Sequence, residues 1–142
     1  RGSGKLAVPV PVRRARRQMI ELELPPPPSV NHYYRHVGPR VLISKLGRQY
    51  REFVQQRLRF ARAEKMPGPL SFRLDFYPPD RRRRDLDNLF KCLLDALQFG
   101  GAYSDDNQIT QITATKREPL PPDGLVYIKL EPYVNDQISG PR

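Results

Sequence analysis

Hydrophobic and polar residues change their spacing along this chain in a way that divides it into strands and helices. Ile20-Glu-Leu-Glu-Leu24 alternates with period two, as a half-buried strand does, and Pro25–Pro28 end it. Tyr33 to Ile43 holds Gly38-Pro39 between two short β-prone pieces and predicts a hairpin or ordered loop. From Ser44, a suitable N-cap, apolar residues recur every three or four positions (Leu46, Tyr50, Phe53, Val54, Leu58, Ala61). A helix running to about Lys65 follows, with Arg48, Arg51, Arg57 and Arg62 on its other face and Pro67-Gly68-Pro69 closing it. Leu70, Phe72, Leu74 and Phe76 then alternate with polar neighbours in a second strand, which Pro78-Pro79 terminate. The period returns to 3.6 at Leu86, Leu89, Phe90, Leu93, Leu94 and Leu97, and Gly100-Gly101 stop that helix. Two β-prone runs remain, about 108–116 and 125–131, which their proline-rich connection suggests as a terminal hairpin. The expected fold is α+β: one domain over 19–134, with a small mixed sheet against two main helices.

Composition narrows the partners. The 142 residues suffice for one modest core, and the net charge of +10 points to an anionic partner. Residues 1–18 carry Arg1, Lys5, Arg13, Arg14, Arg16 and Arg17 with no acid, so most of that charge lies in one short stretch. This stretch reads as a disordered extension or a non-native remnant, the alternative being a basic arm laid on phosphates; residues 135–142 read as a tail. The inference to nucleic acid survives without the extension, because Arg81, Arg82, Arg83 and Arg84 remain. Cys92 is the single cysteine, which excludes an intramolecular disulfide and agrees with a cytoplasmic setting. With only His32 and His36 beside it, a structural zinc site lacks ligands. No apolar run approaches membrane-spanning length.

The chemistry-bearing residues gather around the second helix. Asp85 stands just ahead of its apolar stripe, Asp87 lies in its first turn, and Lys91 follows four residues later on the same face. Asp95 continues that face by another turn. Asp85 and Asp87 can converge only if Asp85 is still extended. Beyond the double glycine, Asp105 or Asp106 can return to the same place, one facing it and the other away. Three converging carboxylates repel one another unless a hard cation such as Mg²⁺ joins them. Such an ion activates water against a phosphodiester, Lys91 adds positive charge at the scissile phosphate, and the arginines hold the backbone. Taken singly, each feature has an ordinary explanation. Asp85 can be a helix cap, Asp87 with Lys91 a surface ion pair, the arginines a solvated loop and Asp105-Asp106 a turn.

Asp80-Arg-Arg-Arg-Arg-Asp-Leu-Asp-Asn-Leu-Phe-Lys91, with Leu94-Asp-Ala-Leu97 and Ser104-Asp-Asp-Asn-Gln108, closely resembles the RusA family of crossover junction endodeoxyribonucleases, common in prophages. Pro27-Pro-Ser-Val-Asn-His-Tyr-Tyr-Arg35 is similar to that family's early motif, so the likeness runs from about Met19 to Glu131. The resemblance implies a homodimeric, Mg²⁺-dependent nuclease, with Mn²⁺ as a substitute, that nicks two strands of a four-way junction symmetrically. It implies Asp85, Asp87 and Asp106 as metal ligands, Lys91 as the essential lysine, Asn88 in support and Arg81–Arg84 on DNA. Choosing Asp106 over Asp105 rests on the family pattern alone. The competing readings are a non-catalytic nucleic-acid binder and a metal nuclease acting on flaps or other branched substrates.

Overall fold

The computed structural model describes residues 18–135; the expected basic extension, up to residue 17, and residues 136–142 of the tail lie outside the described residues. Strand β1 (Ile20–Leu24) is followed by a four-residue helix α1 (Val30–Tyr33) and a hairpin, β2 (Tyr34–Val37) with β3 (Arg40–Ile43). Helix α2 (Lys45–Phe60) leads to β4 (Leu70–Tyr77), and helix α3 (Asp87–Gly100) to a 3₁₀ turn at Asp106–Gln108. Strands β5 (Ile109–Lys116) and β6 (Leu125–Pro132) complete the chain. The fold is thus α+β, with a mixed four-stranded sheet, two long helices as expected, and one short helix that the pattern does not reveal.

Sheet order is β1-β6-β4-β5, with β4 and β5 parallel and the other pairs antiparallel. The expected terminal hairpin does not form, because β4 lies between β5 and β6. Helix α3 acts as the crossover between parallel β4 and β5, and such a connection fills that side of β4. The segment after β5 must then cross the end of β4 to reach its other side. It is tied there: the Arg117 N–H donates to the Phe76 carbonyl and the Leu120 N–H to the Pro78 carbonyl, both at 2.7 Å.

One core joins both helices to one sheet face. Leu22, Leu70, Phe72, Leu74, Phe76, Val126, Ile128 and Leu130 meet Tyr50, Val54 and Leu58 of α2 and Cys92, Leu93, Ala96 and Leu97 of α3. On the opposite face Asp75 is buried, and Arg73 (3.1 Å) and Arg117 (3.0 Å) neutralise its carboxylate.

The helix ends follow local chemistry. Ser44 caps α2 as expected, its hydroxyl accepting from the Gly47 N–H at 3.0 Å. Helix α2 stops at Phe60, five residues before the expected end. Arg62 takes a left-handed φ of 57°, and the Ala63 and Arg62 N–H groups close back on the Leu58 and Arg59 carbonyls. That closure is the one glycine usually makes, and Gly101 (φ 94°) makes it at the end of α3. An arginine in that role leaves no sequence signal.

Two outcomes are expected from this packing. A Cβ at Gly47 would lie 2.3 Å from the Tyr33 carbonyl oxygen, a backbone atom that cannot swing aside. Gly47→Ala should therefore destabilise the protein by about 1–3 kcal/mol, read as a lowered melting temperature. Burial pushes the Cys92 thiol up to about 11, with Asp95 adding to the rise. At pH 8 the thiol is therefore neutral and enclosed, so a thiol reagent should modify Cys92 only after denaturation.

Candidate active site

The strand-to-helix loop between β4 and α3 is organised by a carboxylate. Asp80 accepts from the Arg84 guanidinium at 2.6 Å and from the Arg82 N–H at 2.9 Å. These two bonds hold its pKa down at about 2, the Arg84 bond contributing most. The Lys116 ammonium donates to the Arg84 carbonyl, tying the loop to the end of β5. Arg84 is therefore turned inward, with its side chain 28% exposed, whereas Arg81 and Arg82 are about four-fifths exposed. Arg81 reaches Glu118 at 3.2 Å, a weak surface pair that a phosphate could replace.

Asp85 lies ahead of the helix, in the loop that leads into α3. Its side chain does not cap α3; the first-turn contact is the Asn88 N–H to the Asp85 carbonyl at 3.3 Å. Asp85 and Asn88 are exposed and line a cavity of about 620 Å³ with Arg83, Arg84, Pro27 and Asp123. Asp87 opens α3, fully on the surface side, and Lys91 follows one turn later, also exposed. These two make no ion pair with each other. Instead the Lys91 ammonium stands 5.3 Å from the centroid of the Tyr34 ring, within cation–π range.

The Asp105-Asp106 pair divides its labour. Asp105 caps the 3₁₀ turn: its carboxylate accepts from the Asn107 N–H at 2.9 Å, and Gln108 reaches back to the Asp105 N–H at 3.1 Å. Asp106 accepts from the Tyr103 hydroxyl at 2.9 Å, while its own N–H donates to Gln98 at 3.0 Å. Partial desolvation raises the Asp106 pKa, as do the charges of Asp95 and Asp105, against the lowering effects of Tyr103 and Lys91. Asp106 and Lys91 are thus electrostatic neighbours across the returning turn.

Among the described residues, no three His, Cys, Asp or Glu side chains are gathered closely enough to hold a metal ion. Asp106 is held against α3 by Gln98 and by the Tyr103 hydroxyl, which also donates to the Leu94 carbonyl, while Asp85 lines the cavity on the loop side. The donor chemistry nonetheless suits a hard divalent cation: Asp85, Asp87 and Asp106 offer exposed carboxylate oxygens.

A second network was not visible in the sequence. Arg51 of α2 makes a two-toothed contact with Asp95 of α3 (2.8 and 3.0 Å), and the Tyr33 hydroxyl donates to the same carboxylate at 2.5 Å. In the sequence Arg51 is one of four arginines on the polar face of the expected helix. Its partner is 44 residues away, so no local spacing could have identified it.

Removal of Asp95 leaves Arg51 and the buried Tyr33 hydroxyl without their acceptor. Asp95→Ala should cost about 1–3 kcal/mol in chemical denaturation, whereas Asp85→Ala and Asp87→Ala, at exposed positions, should leave the denaturation midpoint unchanged.

Residues 23–131 match the family model described as Endodeoxyribonuclease RusA. A crossover junction endodeoxyribonuclease RusA of Shigella sonnei (strain Ss046) is 42% identical over 96 residues, covering 67% of this chain and 80% of the relative. Proteins of the same name from Escherichia coli (strain K12) and Enterobacteria phage 82 are 41% identical over the same shares.

Proposed function

The chain belongs to the RusA family of endodeoxyribonucleases, and from that membership we propose that it is a crossover junction endodeoxyribonuclease hydrolysing phosphodiester bonds in four-way DNA junctions. The observation that carries this reading is the match of residues 23–131 to the RusA family model, with Asp85, Asp87 and Lys91 exposed around the start of α3 and Asp106 held against that helix through Tyr103 and Gln98. Asp85, Asp87 and Asp106 are the proposed holders of a divalent ion, Mg²⁺ or in substitution Mn²⁺. When bound, that ion supplies an activated water and neutralises charge developing on the phosphate.

The remaining roles belong to the chain itself. The Lys91 ammonium faces the phosphate undergoing cleavage and stabilises its added negative charge. Asn88, one position beyond Asp87, lines the cavity wall with Asp85 and has a supporting role there. Arg81, Arg82 and Arg83 are the exposed contacts to the DNA backbone, and Arg84 contributes mainly by shaping the loop through Asp80. Residues 19–134 form the nuclease domain in this reading. Paired cuts in two equivalent strands require two equivalent sites, so the acting species is a two-fold symmetric homodimer. Among the described residues no helix is long and apolar enough to cross a membrane.

The deciding experiment compares a four-way junction, a flap and a linear duplex in Mg²⁺. Preferential, paired cleavage of the junction is expected, and Asp87→Asn should reduce it on the order of 100-fold or more. Junction affinity should be retained or increased by the same substitution, because a repulsive charge is removed. Equal cleavage of junction and flap with the duplex spared would favour a metal nuclease acting on branched DNA in general, and equal cleavage of all three would overturn the junction reading. An Asp87→Asn protein with unchanged function would favour a non-catalytic binder.

A further inference from the structure

Lys91 is exposed on a flexible four-carbon stem, yet its ammonium rests on one defined surface. Tyr34 supplies that surface, with the Lys91 nitrogen 5.3 Å from the ring centroid. The ring is itself held through its neighbour in sequence. Tyr33, its neighbour in sequence, is buried, and the two rings lie 4.8 Å apart at 60°. The Tyr33 hydroxyl is fixed on Asp95, whose carboxylate is gripped by Arg51. The Tyr33 carbonyl accepts from the Ser44 N–H (3.0 Å) and hydroxyl (2.9 Å), and Gly47 lets α2 approach that carbonyl. Segment 33–34 is therefore pinned to α2 by its backbone and to α3 by a side chain, one turn beyond Lys91.

We propose that Tyr34 is a positioning residue that holds the Lys91 ammonium ready for the scissile phosphate, with Tyr33, Asp95 and Arg51 as the latch that fixes the ring. This role rests on the nuclease reading above. An aromatic face suits the task better than a carboxylate partner. It restrains the ammonium without neutralising it and takes up none of its three N–H donors, so the full charge stays available to the phosphate. The tyrosine hydroxyl is not required for this, only the ring.

Two measurements test it. In the NMR spectrum of the wild-type protein the ε-methylene protons of Lys91 should be shifted upfield by the Tyr34 ring current. The shift should persist in Tyr34→Phe and disappear in Tyr34→Leu. On a synthetic four-way junction in Mg²⁺, Tyr34→Phe should cleave at the wild-type single-turnover rate and Tyr34→Leu about tenfold more slowly. Junction affinity, measured in Ca²⁺, should be the same for all three proteins. Absence of the upfield shift in the wild type overturns the proposal, and so does a Tyr34→Leu protein that cleaves at full rate. A Tyr34→Phe protein as slow as Tyr34→Leu also overturns it, because the hydroxyl would then be the working group. A wild-type protein that shows the shift but leaves junctions intact overturns the nuclease reading, and with it this role, while the lysine–ring contact stands.

Discussion

The Asp95 carboxylate joins three segments that are distant in sequence, and the geometry of the candidate site depends on that junction. A half-buried carboxylate requires compensation for its lost hydration. Here a guanidinium supplies two parallel hydrogen bonds and a buried tyrosine hydroxyl a third. The three donors come from α1 and α2, so satisfying one charge also fixes how those elements sit against α3. Lys91 lies one turn before Asp95 on that helix. Its meeting with Tyr34 follows from the latch, since the residue preceding Tyr34 is the one donating to Asp95. Because the same carboxylate binds Arg51 and Tyr33 simultaneously, its partners are coupled, and loss of any one loosens the others.

The opposite side of the site is built on another neutralised acid. Asp80 draws in Arg84 and the Arg82 amide, and Lys116 grips the loop through the Arg84 carbonyl. One arginine of the four-residue run is thereby converted from a surface charge into a structural one. The other three remain exposed, on a loop whose backbone is restrained at both ends. Such a loop can present positive charge without the ordering cost that a free chain meets when it closes on a phosphate. Asp85 leaves this loop just before α3, and its place outside the helix is a consequence of that local bonding.

How much of this was readable in advance depended on distance along the chain. Strands β1 and β4 and the stripe of α3 followed from period alone, because each buries one face against a single core. Ser44 was readable as a cap since its partner, Gly47, is three residues away. The end of α2 was hidden because Arg62, and not a glycine, adopts the left-handed turn. The β5–β6 pairing was misjudged because adjacency in sequence favours a hairpin, whereas the α3 crossover had already placed β5 beside β4. At the site, the α3 residues and the returning Asp105-Asp106 turn were legible. The division between an Asp105 that caps the turn and an Asp106 that accepts from Tyr103 needed coordinates, as did the tie between Arg51 and Asp95.

Bringing Asp106 and the loop carboxylate together carries an electrostatic cost. Two carboxylates about 4 Å apart repel by roughly 4 kcal/mol at an effective dielectric of 20, and a third multiplies the cost. The Lys91 ammonium and the Tyr103 hydroxyl both act to lower the cost of charge on Asp106. Even so, the Asp106 pKa remains raised, so its local positive charge is insufficient for its degree of desolvation. Asp85 and Asp87 lower their own cost by remaining exposed to water. In the proposed site, a divalent ion held by the three carboxylates would offset that cost. The latch at Asp95 fixes the helix side of that site, and the bonds of Asp80 and Lys116 fix the loop from which Asp85 enters it.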